Sequence, residues 1–189
     1  IKKIYVNKYL NYITLMFESF FPKPKLFLIS LLVWVFVAVS FYYMFGQSVA
    51  GYLGFDLAEN NETVIGLRYF VTPAFLWFDI YYVSATLIFY YFWSYYSPHK
   101  WQRWSILGSS LLILMAYLTV QVSVVINAWY GPFYNDVQKA LNGNGDVTAS
   151  DLYEHLAVFC IIVFPYIVFV PLKLFFTSHY VFRWRNAMN

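Results

Sequence analysis

Four blocks of apolar residues alternate with shorter polar segments along the chain. The first, LFLISLLVWVFVAVSFYYMF (26–45), has no charge and is about as long as a helix needs to be to cross a bilayer core. The second, 69–96, carries a charge only at Asp79. The third covers 104–129. The fourth starts near 156 and runs through IIVFPYIVFVPL to about 176. Inside lipid every backbone N–H and C=O has to be bonded within the segment, so each block predicts a helix. The expectation is an all-α integral membrane protein with four transmembrane helices.

The segments between the blocks have patterns of their own. In VNKYLNYITLMFESFF, Val6, Leu10, Ile13, Phe17, Phe20 and Phe21 recur on one helical side, with Asn7, Asn11, Thr14 and Glu18 opposite. That predicts an amphipathic helix lying on the membrane surface within residues 1–25, broken by Pro22 and Pro24. After the third block, Gly131-Pro132 predicts the end of the helix, with 133–141 as a short helix folded across the outer mouth. The turn NGNGD (142–146) and then Ser150, Asp151 and Glu154 suit a new helix start.

Composition agrees with the blocks. The chain has 189 residues, 61% hydrophobic, 24% aromatic and 11% charged, where a soluble domain carries roughly 25% charged residues. The net charge of +3 says less than its distribution. Lys2, Lys3, Lys8, Lys23 and Lys25 precede the first block, and Lys100 and Arg103 lie between the second and third. Lys173, Arg183 and Arg185 are read as following the fourth. Asp56, Glu59 and Glu62, and later Asp136, Asp146, Asp151 and Glu154, occupy the other two loops. Both termini and the 97–103 loop are therefore expected on the cytoplasmic side of a multi-pass protein. Ser48-Val49-Ala50 resembles a signal-peptidase site, but the preceding block is too long and bulky for a cleaved leader.

Candidate chemistry is sparse. Asp79 is the one carboxylate within a block, and an acid there is expected neutral, paired or facing a wet cavity. It is read either as a proton- or substrate-facing acid, or as a carboxyl bonded to Ser84 or Tyr82 or lying nearer the outer interface. Gln121 and Asn127 are further substrate or proton candidates, although such groups also join helices. Pro165 and Pro171 remove two backbone donors and are expected to bend or loosen the fourth helix.

His99, His155 and His179 make no metal-ligand spacing, and Cys160 is the single cysteine. No nucleophile pattern stands out, and no Gly-Lys pair exists from which to build a Walker A loop. The expectation is neither an enzyme nor a holder of cofactors or metals. Trp101, Trp104, Trp129 and Tyr130 read as interfacial anchors rather than base-stacking residues, so no nucleic acid partner is expected. Asn61-Glu62-Thr63 matches a glycosylation acceptor, a weak signal.

Four stretches carry a resemblance: MFESFFPKP (16–24), SPHKWQRWSILG (97–108), NAWYGPFY (127–134) and SHYVFRWRNAMN (178–189). Together, in order, they resemble the N-terminal half of the SbmA/BacA family of peptide-antibiotic transporters of bacterial inner membranes. The resemblance implies homodimeric, proton-driven importers of peptides, among them proline-rich antimicrobial peptides, microcins and bleomycin-like glycopeptides. It also implies a membrane domain similar to that of ABC exporters, without an attached ATPase. Residues 26–189 would be the N-terminal part of that domain. The third and fourth spans would be its first core pair, and Arg183, Trp184 and Arg185 the start of its cytoplasmic extension.

Residues 1–15 have no evident counterpart, and the resemblance places an acid at the position of Gln121. Because the resemblance covers only the N-terminal half of such a transporter, the chain is expected to be a fragment, inactive alone. The alternatives are the membrane domain of an ATP-driven transporter of lipids, fatty acids or peptides, and a non-transporting membrane remnant.

Overall fold

A computed structural model describes residues 21, 23–57, 64–143 and 147–188. The amphipathic helix expected before residue 21, the 61–63 glycosylation match and most of the 142–146 turn lie outside the described residues. The described residues contain four long apolar helices: α1 (Pro24–Tyr52), α2 (Pro73–Tyr96), α3 (Ser109–Leu141) and α4 (Ala149–Met188). Each is long and apolar enough to cross a membrane. A 3-10 stretch, Leu67–Val71, precedes α2, and a π-helical turn, Arg103–Gly108, leads into α3.

The helices form two antiparallel pairs. α1 and α2 are joined by side-chain hydrogen bonds that cross between them. Trp34 Nε1 donates to Ala85 O (3.2 Å), Trp93 Nε1 to Ser30 Oγ (3.1 Å) and Tyr81 Oη to Ala38 O (2.6 Å). Without a hydrophobic drive in lipid, such bonds and close packing hold helices together, each contributing roughly 0.6 kcal/mol and up to ~2. Phe27, Phe89, Trp93 and Ile106 form the core at the end bearing the 97–103 loop, called inner here after the side on which the basic segments are expected.

α3 and α4 share the longest interface. At the outer end, Val125, Trp129 and Ile162 make its core. At the inner end, Tyr180 meets Ser109 at 2.7 Å, and since Ser109 Oγ already donates to Ser105 O, Tyr180 is the donor. A Cβ on Gly108 would lie 3.0 Å from the Tyr180 ring, so a glycine is what lets the two helices approach here.

Several expectations are corrected. Gly131-Pro132 does not end the third helix, because α3 continues through Pro132 to Leu141. Proline removes only one helical bond, to the carbonyl of Ala128. Contacts on either side hold the turn: Trp129 stacks on Phe133 with ring centroids 4.6 Å apart, and Asp136 bonds His155 of α4. There is accordingly no separate cap helix over 133–141.

Trp129 is not an exposed anchor. It is 4% accessible, packs on Phe159, and donates Nε1 to His155 O at 2.9 Å. α4 starts at Ala149, ahead of Ser150, with Asp151 Oδ2 accepting from both the N–H and the hydroxyl of Thr148. It runs unbroken through Pro165 and Pro171. Ser48–Ala50, the signal-site match, lies inside α1 with Ala50 buried.

Candidate functional site

Depth in the membrane follows from how the helices pair. Trp104 and Trp129 bound the third apolar block of the sequence, and Thr119 lies between them, roughly 22 Å from the first and 15 Å from the second at 1.5 Å per residue. Lys173 Nζ donates to Thr119 Oγ1 at 3.5 Å. The partners Ser109–Tyr180 and Trp129–Phe159 fix the same register on either side. Lys173 therefore stands level with the middle of the third apolar block rather than beyond its end. Hydropathy hid this: the largely apolar run continues beyond Lys173 through LFFTSHYVF, more than two further turns.

Thr119 is suited to accept. Its hydroxyl hydrogen goes to Met115 O (2.8 Å), which leaves its oxygen lone pairs for the Lys173 N–H. Lys173 is half-buried and carries three side-chain donors when charged, of which Thr119 occupies one.

Asp79 lies on the opposite side of α3 at a similar depth. Phe75, Phe78 and Tyr82 share its face of α2. Phe78 packs on Tyr117 with ring centroids 4.5 Å apart, and Tyr82 Oη donates to Ser110 O at 2.9 Å. Those contacts set Asp79 level with roughly the third and fourth turns of the third span. Among the described residues Asp79 Oδ1 is buried without a hydrogen-bond partner. Tyr82 has another acceptor and Ser84 is exposed, so neither expected neighbour holds that oxygen. An unbonded carboxyl oxygen there is costly, which makes the position a functional candidate.

Asp79 lies deeper than its place near the start of a helix suggests. The second span was expected from residue 69, but α2 begins at Pro73. Residues 65–71 lie against the outer half of the α3–α4 pair instead. Ile65, Tyr69 and Phe70 pack on Val125, Trp129 and Ile162. Gly66, at φ 96°, lies buried 3.9 Å from Val158 as measured from an added Cβ. Non-helical backbone at such a depth is tolerated where protein covers it.

Gln121 accepts the Tyr69 hydroxyl at 2.7 Å and so fastens this stretch to α3. Gln121 and Asp79 thus belong to one α2–α3 seam, bridged by Tyr117, which packs on Phe75 and Phe78. Asn127 is exposed and not brought to this seam.

Two polar clusters lie toward the two ends of the α3–α4 pair. At the end away from the 97–103 loop, Asp136 accepts from His155 Nε2 and Lys139 Nζ, both at 3.0 Å. The His155 bond first, then Lys139, holds the Asp136 carboxyl below its ordinary range. At the loop end, Arg183 lies over the Trp104 ring at 5.3 Å and donates Nε to His179 Nε2 at 3.3 Å. Trp184 is half-buried and Arg185 exposed. Of the three residues expected to begin a cytoplasmic extension, Arg183 ties α4 back to the start of the third span.

Three of the four stretches that carry the resemblance surround these features: 97–108 forms the loop and π-helical turn before α3, 127–134 lies in the second half of α3, and 178–188 ends α4. Residues 98–189, which hold the loop, α3 and α4, match the model of the SbmA/BacA-like family.

Proposed function

We propose that this protein is part of a proton-driven importer that carries peptides across the bacterial inner membrane without transforming them. The family suggests a membrane transporter of peptides. The observation that carries the finer reading is the pair of ionisable side chains at mid-depth, Asp79 and Lys173, one on each side of α3. Intramembrane acids and bases are rare and mark substrate or ion paths. In this reading Asp79 is the proton-facing group, and Lys173 with Thr119 offers hydrogen-bond donors and an acceptor to a peptide. The substrates are proline-rich antimicrobial peptides, microcins and glycopeptides of the bleomycin kind.

The long α3–α4 pair, extending past the membrane at both ends, supports reading it as the first core pair of an ABC-exporter-like membrane domain. The thin packing between the α1–α2 and α3–α4 pairs, with broad exposed apolar faces, supports a homodimer surrounded by lipid as the working unit. Both termini face the cytoplasm, as the basic segments favour. The test is uptake of a fluorescent proline-rich peptide by cells with and without the gene in its native context. Uptake should need the gene and collapse with a protonophore. Uptake unchanged by deletion contradicts the reading.

A further inference from the structure

At the inner end the 97–103 loop folds over α2 and encloses an open crevice of about 500 Å³. Its walls include Tyr90, Ser94, His99, Lys100, Arg103 and Trp104. The loop is held in one shape by Gln102, which is 4% accessible. Its amide donates to Tyr90 O (3.2 Å) and Ser94 Oγ (2.9 Å), while its oxygen accepts the His99 N–H (3.3 Å). His99 Nδ1 accepts from Trp101 N at 3.3 Å, so in the neutral ring the proton lies on Nε2 as a further donor.

The crevice is basic, and among the described residues no acid lies against it. Lys100 and Arg103 are both exposed. Lys100 rests over the Trp101 ring at 5.6 Å, and among the described residues Arg103 has no ion pair. The described acids, Asp56, Asp79, Asp136, Asp151 and Glu154, all lie at mid-depth or at the opposite end. Trp101 and Trp104 place the mouth at the level where lipid headgroups begin. Toward the membrane interior, Val83 and Leu87 lie on the helical stripe of Tyr90 and Ser94, and both are exposed. That makes an apolar track leading out of a cationic mouth.

We propose that this crevice is a binding site for the headgroup of an anionic phospholipid. Lys100, Arg103 and the His99 Nε2–H meet the phosphate, and an acyl chain lies along Leu87 and Val83. The apolar track is what favours a lipid over free phosphate. The proposal rests on membrane embedding alone and stands apart from the transport reading.

Native mass spectrometry of the detergent-purified protein, titrated with phosphatidylglycerol or phosphatidylcholine, tests it. Phosphatidylglycerol should be retained in preference. The Lys100→Gln/Arg103→Gln double variant should lose that preference roughly tenfold or more, given about 1 kcal/mol per basic residue near an anionic surface. Lys139→Gln, at the other end, should leave it unchanged, and millimolar inorganic phosphate should not displace the lipid. Circular dichroism of the double variant should match the parent, since both side chains are exposed. Equal retention of the two lipids, an unaltered preference in a folded double variant, or displacement by phosphate would each overturn the proposal.

Discussion

The side-chain nitrogen of Lys173 meets the Thr119 hydroxyl across the α3–α4 interface at 3.5 Å, level with the middle of the apolar stretch between Trp104 and Trp129. If this pair receives substrate, Lys173→Met, which keeps the stem and removes the donors, should lower peptide uptake about tenfold or more. Hydrogen bonds involving a charged group contribute ~1.5–3 kcal/mol. Lys173→Arg should retain part of the uptake, and Thr119→Val should reduce it only a few-fold. Uptake by cells carrying each variant at equal membrane abundance checks this. Parental uptake in Lys173→Met rules out the role.

Asp79 and Asp136 are both carboxylates but differ in setting. Asp79 Oδ1 is buried and unbonded, whereas Asp136 has two partners at the outer surface. Asp79→Asn should reduce proton-driven uptake severalfold, and Asp136→Asn should leave it near normal. Comparable, near-normal uptake in both variants removes Asp79 from the mechanism.

The outer cluster makes a pH prediction. Because His155 and Lys139 depress the Asp136 pKa below its ordinary value of 3.8, the bond favours the ionised carboxylate. Its contribution is fully present above that value and disappears as pH falls through the depressed one. A carboxyl NMR titration should show Asp136 titrating below 3.8 and moving upward in His155→Phe. An Asp136 midpoint at or above 3.8, or one unmoved by His155→Phe, shows that the cluster does not form.

Gly108 carries a packing prediction. An added methyl would lie 3.0 Å from the Tyr180 ring and 3.4 Å from Trp104. Gly108→Ala should destabilise the α3–α4 pair by roughly 1–3 kcal/mol, the usual range for overpacking. Tyr180→Ala in the same chain should relieve part of that penalty. Thermal unfolding in detergent reports both, and additive losses in the double variant would show that the two residues do not touch.

Much of this architecture was legible in the sequence. Four apolar blocks gave four helices because lipid permits little else. What hydropathy does not encode is register between helices. Lys173 looked like the start of a cytoplasmic segment because a charge conventionally ends a span, yet its level is set by Tyr180 on Ser109 and Phe159 on Trp129. Gly131-Pro132 looked like a stop because proline and glycine are local punctuation. The Trp129–Phe133 stack and the Asp136–His155 bond override it.

At the site, Asp79 was identifiable as the lone acid of its block. Thr119 gave no signal, since a single hydroxyl in an apolar run is ordinary. Gln121 was visible, but its partner Tyr69 lies in a segment that reads as membrane helix and is in fact a 3-10 stretch.

The central claim is that the mid-depth face bearing Lys173 lines a water-filled peptide path. The chain has one cysteine, Cys160, so a Cys160→Ser, Lys173→Cys variant offers a single reporter. In cells it should react with a membrane-impermeant thiol reagent, and a proline-rich peptide should slow that reaction in proportion to its occupancy. A cysteine at 173 that stays unlabelled, or whose labelling ignores the peptide, would mean this face is turned to lipid or to buried protein, and would contradict the account.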